Sequence, residues 1–375
     1  MSLIKLDIHC GDIIATLKRT RETIPKDTKI MAIAKANAYG LGAVKLCKIL
    51  DDHVDYFGVA TMQEAIEIRN SGVMSNILLL SEPVKRDILK AINFDIDLTV
   101  YRMEFIEFLD NFLKNLQKRK SESGENPHSD LVSIGTHLKV ETGMQRVGAS
   151  DKSVINYWLN GTCKNLRKTG MFSHLANADY TGINQILNFQ QYEKFHKLTE
   201  KHARKNPGII RHLCNSYATE FYPGAHFDMV RIGQNLYKSN FKMSVMVKHV
   251  FRGQKNETIG YGCDESVKYK CVGNEKLATL RIGFADCVPT SLSNDRRVYV
   301  LIKGVRCELV SPVMMDMLVV KCPEELDVEV EDEAVFLSDG RDGAMSLEYL
   351  NKVFGIHMCE LMTRFGRRFE RIYHV

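Results

Sequence analysis

The first 240 residues repeat one pattern, in which a short apolar run is followed by a longer stretch with helical periodicity. The runs that predict strands are 30–34, 56–60, 76–80, 95–100, 132–140, 169–175, 209–214 and 227–232. Eight such units have the number and total length of a (β/α)8 barrel. An open doubly wound sheet is the alternative, but it rarely extends to eight similar units. We therefore predict an α/β fold, with an N-terminal (β/α)8 TIM barrel over residues 1–240.

The pattern changes after residue 240. Residues 244–337 contain short alternating runs with no long helix between them, which is typical of antiparallel sheet. A helical stretch follows over 346–360. We therefore predict a C-terminal antiparallel β domain over 241–375. The polar segment 118–130, with its Gly and Pro, is predicted to be an exposed loop before the fifth strand.

Composition excludes several classes of protein. The chain has 51 Lys and Arg against 46 Asp and Glu, and 45% of its residues are hydrophobic, which is typical of a globular protein and not of a disordered one. A net charge of +5 is weak support for nucleic-acid binding. No apolar run approaches the ~18 residues that span a bilayer. Ten scattered cysteines without a C-x-x-C pair indicate reduced thiols and a cytoplasmic protein, and no metal site is predicted.

Polar or basic residues follow five of the eight predicted strands. In order along the chain they are Lys35, Lys139, His174, Asn215–Ser216 and Arg231–Gly233. The C-terminal ends of the strands carry the chemistry of such barrels, and a cluster of cations there suits an anionic ligand such as a phosphate. A lysine whose pKa is lowered by burial and by other cations is a nucleophile. Lys35 beside a phosphate site therefore predicts a Schiff base with pyridoxal phosphate.

Seven segments of the chain resemble the motifs of the bacterial alanine racemases. Residues 34–42 (AKANAYGLG) resemble the family's pyridoxal-lysine motif. The other similar segments are 137–148 (HLKVETGMQRVG), 171–174 (MFSH), 215–216 (NS), 230–233 (VRIG), 260–262 (GYG) and 313–316 (VMMD). Their order and approximate spacing match over nearly the whole chain, so the resemblance is specific although each motif alone is not.

The resemblance implies a role for each matched residue. Lys35 and Tyr261 are the expected catalytic bases, Lys35 for the D-substrate face and Tyr261 for the L-substrate face. The cofactor contacts are expected from Lys35, Tyr39, His174, Ser216, Arg231, Gly233 and Gln234. The substrate contacts are expected from Arg146, Met315 and Asp316, and Lys139 is a candidate for carbamylation. Taken singly, these residues have plainer interpretations, such as surface charge for Lys35 or packing for Tyr261.

The resemblance also implies an activity and an assembly. It implies a pyridoxal 5'-phosphate-dependent racemase that interconverts L- and D-alanine by two-base proton transfer at Cα and supplies D-alanine for peptidoglycan. It implies a head-to-tail homodimer in which Tyr261 and Met315 complete the partner's site. The expected partners are thus a small amino acid and a second copy of the chain, with neither nucleic acid nor membrane.

Two positions depart from the family pattern and leave alternatives open. Cys359 stands where the family usually has a tyrosine, and Gln234 replaces an apolar residue. A smaller side chain at 359 would leave room for a larger substrate, so a serine or broad-specificity racemase is one alternative. A non-catalytic pyridoxal-phosphate carrier and a barrel decarboxylase are the others; the C-terminal domain opposes the carrier, and Arg231, where the decarboxylases carry a carboxylate, opposes the decarboxylase.

Overall fold

The computed structural model describes residues 4–122, 132–160, 165–178, 185–261 and 268–375. The chain forms two compact units. The barrel unit consists of Ile14–Ala38 and Ala43–Leu236. The C-terminal unit consists of Tyr237–Val375 together with the residues up to Ile13 and the short segment Tyr39–Gly42.

The barrel unit contains eight parallel strands in one sheet, which confirms the predicted barrel fold. The first to eighth barrel strands are Lys29–Ile33, Tyr56–Val59, Asn76–Leu79, Ile96–Val100, Ile134–Lys139, Leu166–Phe172, Ile210–His212 and Met229–Ile232. Each of the first six pairs with the next, and the first also pairs with the eighth. The backbone N–H of Arg231 donates to the carbonyl of Cys214 at 3.1 Å, which links the seventh and eighth strands and closes the barrel.

Helices alternate with these strands, as the periodicity predicts. They are Cys10–Thr23, Ala43–Leu50, Met62–Asn70, Ile88–Asn93, Met103–Glu122, Lys152–Asn160, Gln185–Lys205, Ser216–Phe221 and Gln234–Tyr237. A capping box begins one of them, because the Thr61 hydroxyl accepts from the Glu64 N–H and the Glu64 carboxylate accepts from the Thr61 N–H, both at 3.2 Å. Part of the predicted loop 118–130 is wrong, since Met103–Glu122 is helical through residue 122; residues 123–131 lie outside the described part of the chain.

The C-terminal unit contains a largely antiparallel eight-stranded sheet, as predicted. Its strands, in spatial order, are Glu275–Leu280, Leu318–Lys321, Val305–Leu309, Tyr299–Ile302, Glu333–Leu337, Phe241–Gly253, Ile4–His9 and Phe369–His374. The long strand Phe241–Gly253 also pairs with Glu275–Leu280, which closes six of the strands into a ring. The strand Ile4–His9, from the segment assigned to the barrel, lies in this sheet and pairs in parallel with Phe369–His374.

Short elements complete the C-terminal unit. The strands Thr258–Ile259 and Tyr269–Lys270 form a small hairpin sheet, and the helices Leu347–Phe354 and Met358–Met362 lie near the chain end. The helical stretch predicted over 346–360 is thus interrupted, because Gly355 ends the first helix in a left-handed conformation with φ of 68°. Within the described residues eight cysteines are thiols that form no disulfide, and all except Cys359 are buried; Cys163 and Cys263 lie outside the described residues.

Candidate active site

A left-handed turn follows the first barrel strand at the position of Lys35. The four residues 36–39 have positive φ values of 53°, 57°, 51° and 53°. This conformation brings the side-chain Cβ close to the following carbonyl and costs about 1–2 kcal/mol per residue other than glycine. Strain of this kind persists only where the surroundings impose it, and it is concentrated at functional sites. The turn therefore marks the end of the first strand as a candidate site.

Hydrogen bonds from the barrel unit hold this turn. The backbone N–H of Ala36 donates to the Glu64 carboxylate at 2.8 Å. The side-chain oxygen of Asn37 accepts from the N–H of Ala43 at 2.8 Å, and the N–H of Ala38 donates to the carbonyl of Ala34 at the same distance. Glu64, which also caps its own helix, thus couples that helix to the backbone that carries Lys35.

Arg231 lies inside the barrel, on the eighth strand, and is 4% exposed. Its guanidinium donates to the carbonyls of His212 at 2.9 Å, Ser173 at 2.8 Å and Leu213 at 3.0 Å. One guanidinium nitrogen also lies 3.1 Å from Nδ1 of His212. Burial lowers the pKa of Arg231 to about 10, so it remains a cation at neutral pH. These contacts fix the plane of the guanidinium within the barrel.

His174 is next to Arg231, since Nδ1 of the imidazole lies 3.4 Å from a guanidinium nitrogen. Burial, followed by the charges of Arg231, Arg146, Lys139 and Lys35, lowers the pKa of His174 to about 3. The imidazole is therefore neutral at physiological pH. Because Nδ1 faces a donor, the proton of the neutral ring belongs on Nε2. His174 is thus a hydrogen-bond donor through Nε2. The cations around it come from separate positions along the sequence.

Lys139 ends the fifth barrel strand and is 7% exposed. Burial, followed by the nearby charges of Arg146 and Arg231, lowers the pKa of Lys139 to about 8, although Glu141 opposes the shift. The Lys139 amine lies 5.5 Å from the centre of the Phe172 ring. Its neighbour Arg146 is exposed, and the backbone N–H of Arg146 donates to the Glu141 carboxylate at 3.3 Å. Lys35 is also exposed in the single chain.

The ends of the last two barrel strands meet at Ser216 and Gly233. The buried hydroxyl of Ser216 accepts a hydrogen bond from the N–H of Gly233 at 2.8 Å. Gln234 follows directly and begins the short helix Gln234–Tyr237. A backbone N–H and a hydroxyl in contact are the donor types that hold a phosphate at this end of a barrel. The structure therefore brings together three of the four residues predicted for the phosphate, Ser216, Gly233 and Gln234.

Tyr39 and Cys359 are neighbours within the C-terminal unit. Burial, and then the charge of a Cys359 thiolate, raise the pKa of Tyr39 above its usual value. The Tyr39 ring also packs against Tyr237, with centroids 5.4 Å apart. Tyr39 was predicted to contact the cofactor, and Cys359 stands where the family usually has a tyrosine; the structure places both residues in the same unit.

The C-terminal unit also carries Tyr261 and Met315, whose side chains are 64% and 51% exposed. Gly260, with φ of 103°, lies so close to Pro312 that a Cβ would be 2.4 Å from the proline ring. A Cβ on Gly283 would be 2.4 Å from the Met315 carbonyl. Two glycines therefore allow the segments around Tyr261 and Met315 to pack against the proline and the 283 loop.

The carboxylate of Asp316 is engaged by two arginines of the same unit. Arg368 forms an ion pair with it, and Arg281 lies 3.6 Å from it while donating to the Asp316 carbonyl at 2.9 Å. The fully buried Asp286 shares both arginines. These ion pairs neutralise the charge of the Asp316 carboxylate. Together with the Arg281 hydrogen bond to the Asp316 carbonyl, they hold the backbone beside Met315 in place.

Some residues of the site were missed by sequence reasoning. His212 contacts Arg231 inside the barrel, and its ring stacks on Phe172 with centroids 4.7 Å apart and planes 7° from parallel. The signal for His212 was a histidine within a short strand that is otherwise expected to be apolar, as in a parallel sheet covered on both faces. The left-handed turn gave no such signal, because its alanines are the strongest formers of ordinary helix.

These residues fit a pyridoxal phosphate. The barrel unit offers an exposed amine on Lys35, a buried cation on Arg231 and a hydroxyl with a backbone N–H at Ser216 and Gly233. Among the described residues, no group of three or more His, Cys, Asp or Glu side chains is arranged to hold a metal ion. Over the same described ranges, no helix is long and apolar enough to cross a membrane.

Two family models together match residues 8–373. The model for "Alanine racemase, N-terminal domain" matches residues 8–240, and the model for "Alanine racemase, C-terminal domain" matches residues 241–373. An alanine racemase of Methanococcus maripaludis is 31% identical to the chain over 98% of the chain and 97% of the relative. An alanine racemase of Fusobacterium nucleatum is 31% identical over 93% of the chain and 94% of the relative.

Solved structures give the same correspondence. The structure of an alanine racemase from Clostridium difficile 630 superposes with a TM-score of 0.86 and 26% identity, covering all of this chain and 96% of that one. An alanine racemase structure from E. faecalis superposes with a TM-score of 0.85 and 27% identity, covering 99% of this chain and 98% of the other.

Proposed function

Because this chain belongs to the alanine racemase family, as its motifs suggested, we propose that it racemises alanine with pyridoxal 5'-phosphate as cofactor. The observation that carries the proposal is the convergence of Lys35, Lys139 and Arg231 around the neutral imidazole of His174 at one end of the barrel, where a guanidinium nitrogen lies 3.4 Å from Nδ1. Titratable groups perturbed by burial and by specific charges cluster at functional sites.

The residues that would hold the cofactor are those at the strand ends. Lys35 would hold it covalently through its amine, Tyr39, Ser216, Gly233 and Gln234 would bind the phosphate, and Arg231 with His174 would face the ring. When bound, pyridoxal phosphate supplies an electron sink for the charge left when Cα loses its proton. The positive field of the site favours an anionic group of this kind.

Two residues would move the proton. Nζ of Lys35 would serve the D-substrate and Oη of Tyr261 from the partner subunit the L-substrate. A tyrosine has an ordinary pKa of about 10 and needs help to act as a base. Neutral His174 supplies that help, because its Nε2–H is free to donate to a phenolate while its Nδ1 accepts from Arg231.

Arg231 would also restrict the chemistry to proton transfer. Its guanidinium keeps its proton at neutral pH, since its pKa stays near 10 even when buried. Arg231 would therefore not protonate a ring nitrogen that it faced, and the bound cofactor would be a weaker electron sink. A weaker sink would disfavour transamination and other side reactions. This distinguishes the proposal from a barrel decarboxylase, for which a carboxylate is expected at this position.

We also propose that Lys139 is carbamylated. With a pKa lowered to about 8, a substantial fraction of the amine is neutral at physiological pH and can attack carbon dioxide, releasing one proton and leaving a carbamate. The carbamate would place an anion beside Arg146 and Arg231, where two cations and an ammonium would otherwise repel one another. Arg146 would then be held for contact with the substrate carboxylate.

A head-to-tail homodimer is the assembly we propose, in the cytoplasm, with D-alanine for peptidoglycan as the product. In the C-terminal unit the apolar side chains of Tyr261, Phe284, Met315 and Met317 are exposed by 64%, 44%, 51% and 42%. Apolar groups so exposed on one unit favour coverage by a partner. The two glycine-dependent contacts that hold the 261 and 315 segments give that surface a defined shape.

Broader specificity, including serine, is the second candidate, and the position of Cys359 favours it. The family tyrosine expected there limits the space for the substrate methyl group, and Cys359 beside Tyr39 is much smaller. Replacing Cys359 by Tyr should therefore shift kcat/KM toward alanine and away from serine. One excluded methylene-sized group changes such a ratio by about tenfold or more.

The deciding experiment follows Cα deuterium and the opposite enantiomer when the protein, loaded with pyridoxal phosphate, is incubated with L- or D-alanine in deuterated water. We expect exchange and racemisation from both enantiomers. Tyr261→Phe should lose exchange mainly from L-alanine and Lys35→Ala from both. Absence of exchange with any amino acid would exclude a racemase and favour the carrier, and release of carbon dioxide would favour the decarboxylase.

A further inference from the structure

Four polar side chains form a row through the inside of the barrel, from Arg231 to Asp97. Nδ1 of His212 lies 3.1 Å from the Arg231 guanidinium, and Nε2 of His212 lies 2.9 Å from Nδ1 of His137. Nε2 of His137 in turn lies 3.4 Å from the Asp97 carboxylate. Both histidines are fully buried, and Asp97 is 6% exposed. A barrel interior is ordinarily filled by branched apolar side chains, so four polar groups in line need a reason.

The direction of the hydrogen bonds among these side chains is determined at the Arg231 end. The Arg231 guanidinium has only donors, so Nδ1 of His212 must accept and the proton of His212 must lie on Nε2. Burial and the charge of Arg231 keep the pKa of His212 well below its usual value, so that ring is neutral. Nδ1 of His137 therefore accepts, and the remaining proton of His137 lies on Nε2, 3.4 Å from the Asp97 carboxylate. This last contact is electrostatic, because Nε2 of His137 makes no hydrogen bond within the described residues.

Two glycines make the space that these side chains occupy. A Cβ on Gly135 would lie 1.8 Å from the Asp97 carboxylate, and a Cβ on Gly170 would lie 2.2 Å from Nδ1 of His137. Any residue other than glycine at either position would displace these polar side chains. The glycines are on the fifth and sixth barrel strands, where a side chain would otherwise pack into the interior. The space that Asp97 and His137 occupy therefore depends on glycine at these two positions of the barrel strands.

Two other groups keep Asp97 in place at the far end of this row of polar side chains. The Tyr56 hydroxyl donates to the Asp97 carboxylate at 3.4 Å, and the Arg167 guanidinium lies 3.8 Å from its other oxygen. The Tyr56 ring also meets the His137 ring edge-on, with centroids 5.8 Å apart. Asp97 thus has a donor from the second barrel strand and a cation from the sixth, in addition to His137 from the fifth.

We propose that Asp97 and His137 are positioning residues that act through His212 on Arg231. The charge of Asp97 favours the proton of His137 on Nε2, Nδ1 of His137 then accepts from Nε2 of His212, and His212 presents only an acceptor to Arg231. If the order reversed, His212 would present an N–H to the guanidinium, and the two donors would repel. The catalytic consequence, a guanidinium held facing the cofactor ring, rests on the proposed function; the proton positions themselves do not.

The test is to locate the imidazole protons by ¹⁵N NMR of the cofactor-free protein with labelled histidine, and to measure kcat and KM of the loaded protein. In the native protein we expect Nδ1 of both His137 and His212 to be unprotonated. In Asp97→Asn the amide can donate to His137, so a second population with both rings reversed should appear. We expect kcat to fall by about two- to thirty-fold, the range for residues that act through others, and KM to stay within about twofold.

Thr99→Val is the matched control. Thr99 lies on the same strand, two residues from Asp97, its hydroxyl is buried, and that hydroxyl makes no hydrogen bond within the described part of the chain. This variant should leave the imidazole protons and kcat unchanged. If Asp97→Asn does not fold, His137→Phe tests the same prediction, because it removes the link between Asp97 and His212 while keeping a ring in the space.

Three outcomes would overturn the proposal, and a fourth would refute the proposed function alone. A native His212 protonated on Nδ1 would overturn the proposal, as would Asp97→Asn or His137→Phe with unchanged His212 protons and unchanged kcat. An effect of Thr99→Val equal to that of Asp97→Asn would reduce Asp97 to a packing residue and also overturn it. Expected proton positions in a protein without racemase activity would refute the proposed function and leave the hydrogen-bond order standing.

Discussion

Replacing Ala36 by glycine should make the protein more stable, although the same change in an ordinary helix makes a protein less stable. Ala36 is the first of the four residues with positive φ, at 53°, and its methyl group is exposed. The substitution therefore removes the steric conflict of a left-handed alanine while giving up little buried surface.

The magnitude follows from two opposing contributions. Relief of the left-handed conformation is worth about 1–2 kcal/mol. The greater freedom of glycine in the unfolded chain opposes this by about 0.5–1 kcal/mol. The net gain in the free energy of unfolding is thus about 0.5–1 kcal/mol, which for a unit of this size corresponds to a rise in Tm of about 2 °C.

Ala15→Gly is the matched comparison for the assay. Ala15 lies in the middle of the right-handed helix Cys10–Thr23, where glycine costs about 1 kcal/mol and should lower Tm by about 2–4 °C. Calorimetry of the two variants and the native protein, at equal cofactor loading, compares one chemical change in two backbone conformations. The difference in the sign of the Tm shift is the quantity of interest.

A Tm lowered by Ala36→Gly as much as by Ala15→Gly would refute the reasoning, since it would mean that the turn after Lys35 carries no strain. We further expect Ala36→Gly to lower kcat, because a freer turn holds the Lys35 amine less firmly. Stability gained at the expense of activity is the usual result where strain serves a site.

Three further predictions follow from particular contacts. Because burial lowers the pKa of Lys139 from 10.5 to about 8, the unfolded chain binds more protons than the folded one between these pH values, and the free energy of unfolding should rise with pH across that window. Lys139→Met should abolish this rise. Its free energy of unfolding at pH 7, measured in urea without bicarbonate, should be roughly 3 kcal/mol higher than that of the native protein. A pH dependence that is the same in the variant and the native protein would contradict the burial of a charge. Gly260→Ala places a methyl group 2.4 Å from Pro312 at a φ of 103°, so we expect a loss of about 1–3 kcal/mol in urea unfolding, and an unchanged midpoint would contradict the close approach. Cys359→Tyr should raise the alanine-to-serine ratio of kcat/KM by about tenfold, and an equal ratio before and after would remove Cys359 as a specificity residue.

Much of the fold could be predicted from periodicity, and the errors have physical causes. The apolar runs located all eight barrel strands to within three residues, because strands covered on both faces must be apolar. The sixth strand, predicted over 169–175, lies at Leu166–Phe172, since three of its first four residues are polar and resemble a loop. The strand Ile4–His9 was not singled out, because its partners Phe241–Gly253 and Phe369–His374 are distant in sequence and pairing leaves no local signal.

The site was predictable only where a residue type is tied to a strand end. Lys139, His174 and Arg231 were identified in this way, and the structure brings them together. The exposure of Lys35 and the ion pairs of Asp316 depend on tertiary contacts, so no pattern could reveal them. Asp97 did leave a signal, an acid within a strand expected to be buried on both faces, although its meaning required the distances.

The pairing of Ile4–His9 with Phe369–His374 has a consequence for how the protein is made. Ile4–His9 has its place in a sheet between Phe241–Gly253 and Phe369–His374, which both follow the barrel strands in the chain. Domains usually fold in the order of their synthesis. Here the barrel strands, complete by Ile232, are made before either partner of Ile4–His9, and one side of Ile4–His9 stays an open strand edge until Phe369–His374 is made. A chain truncated before Phe369 would keep that unpaired edge, which is a hazard for aggregation.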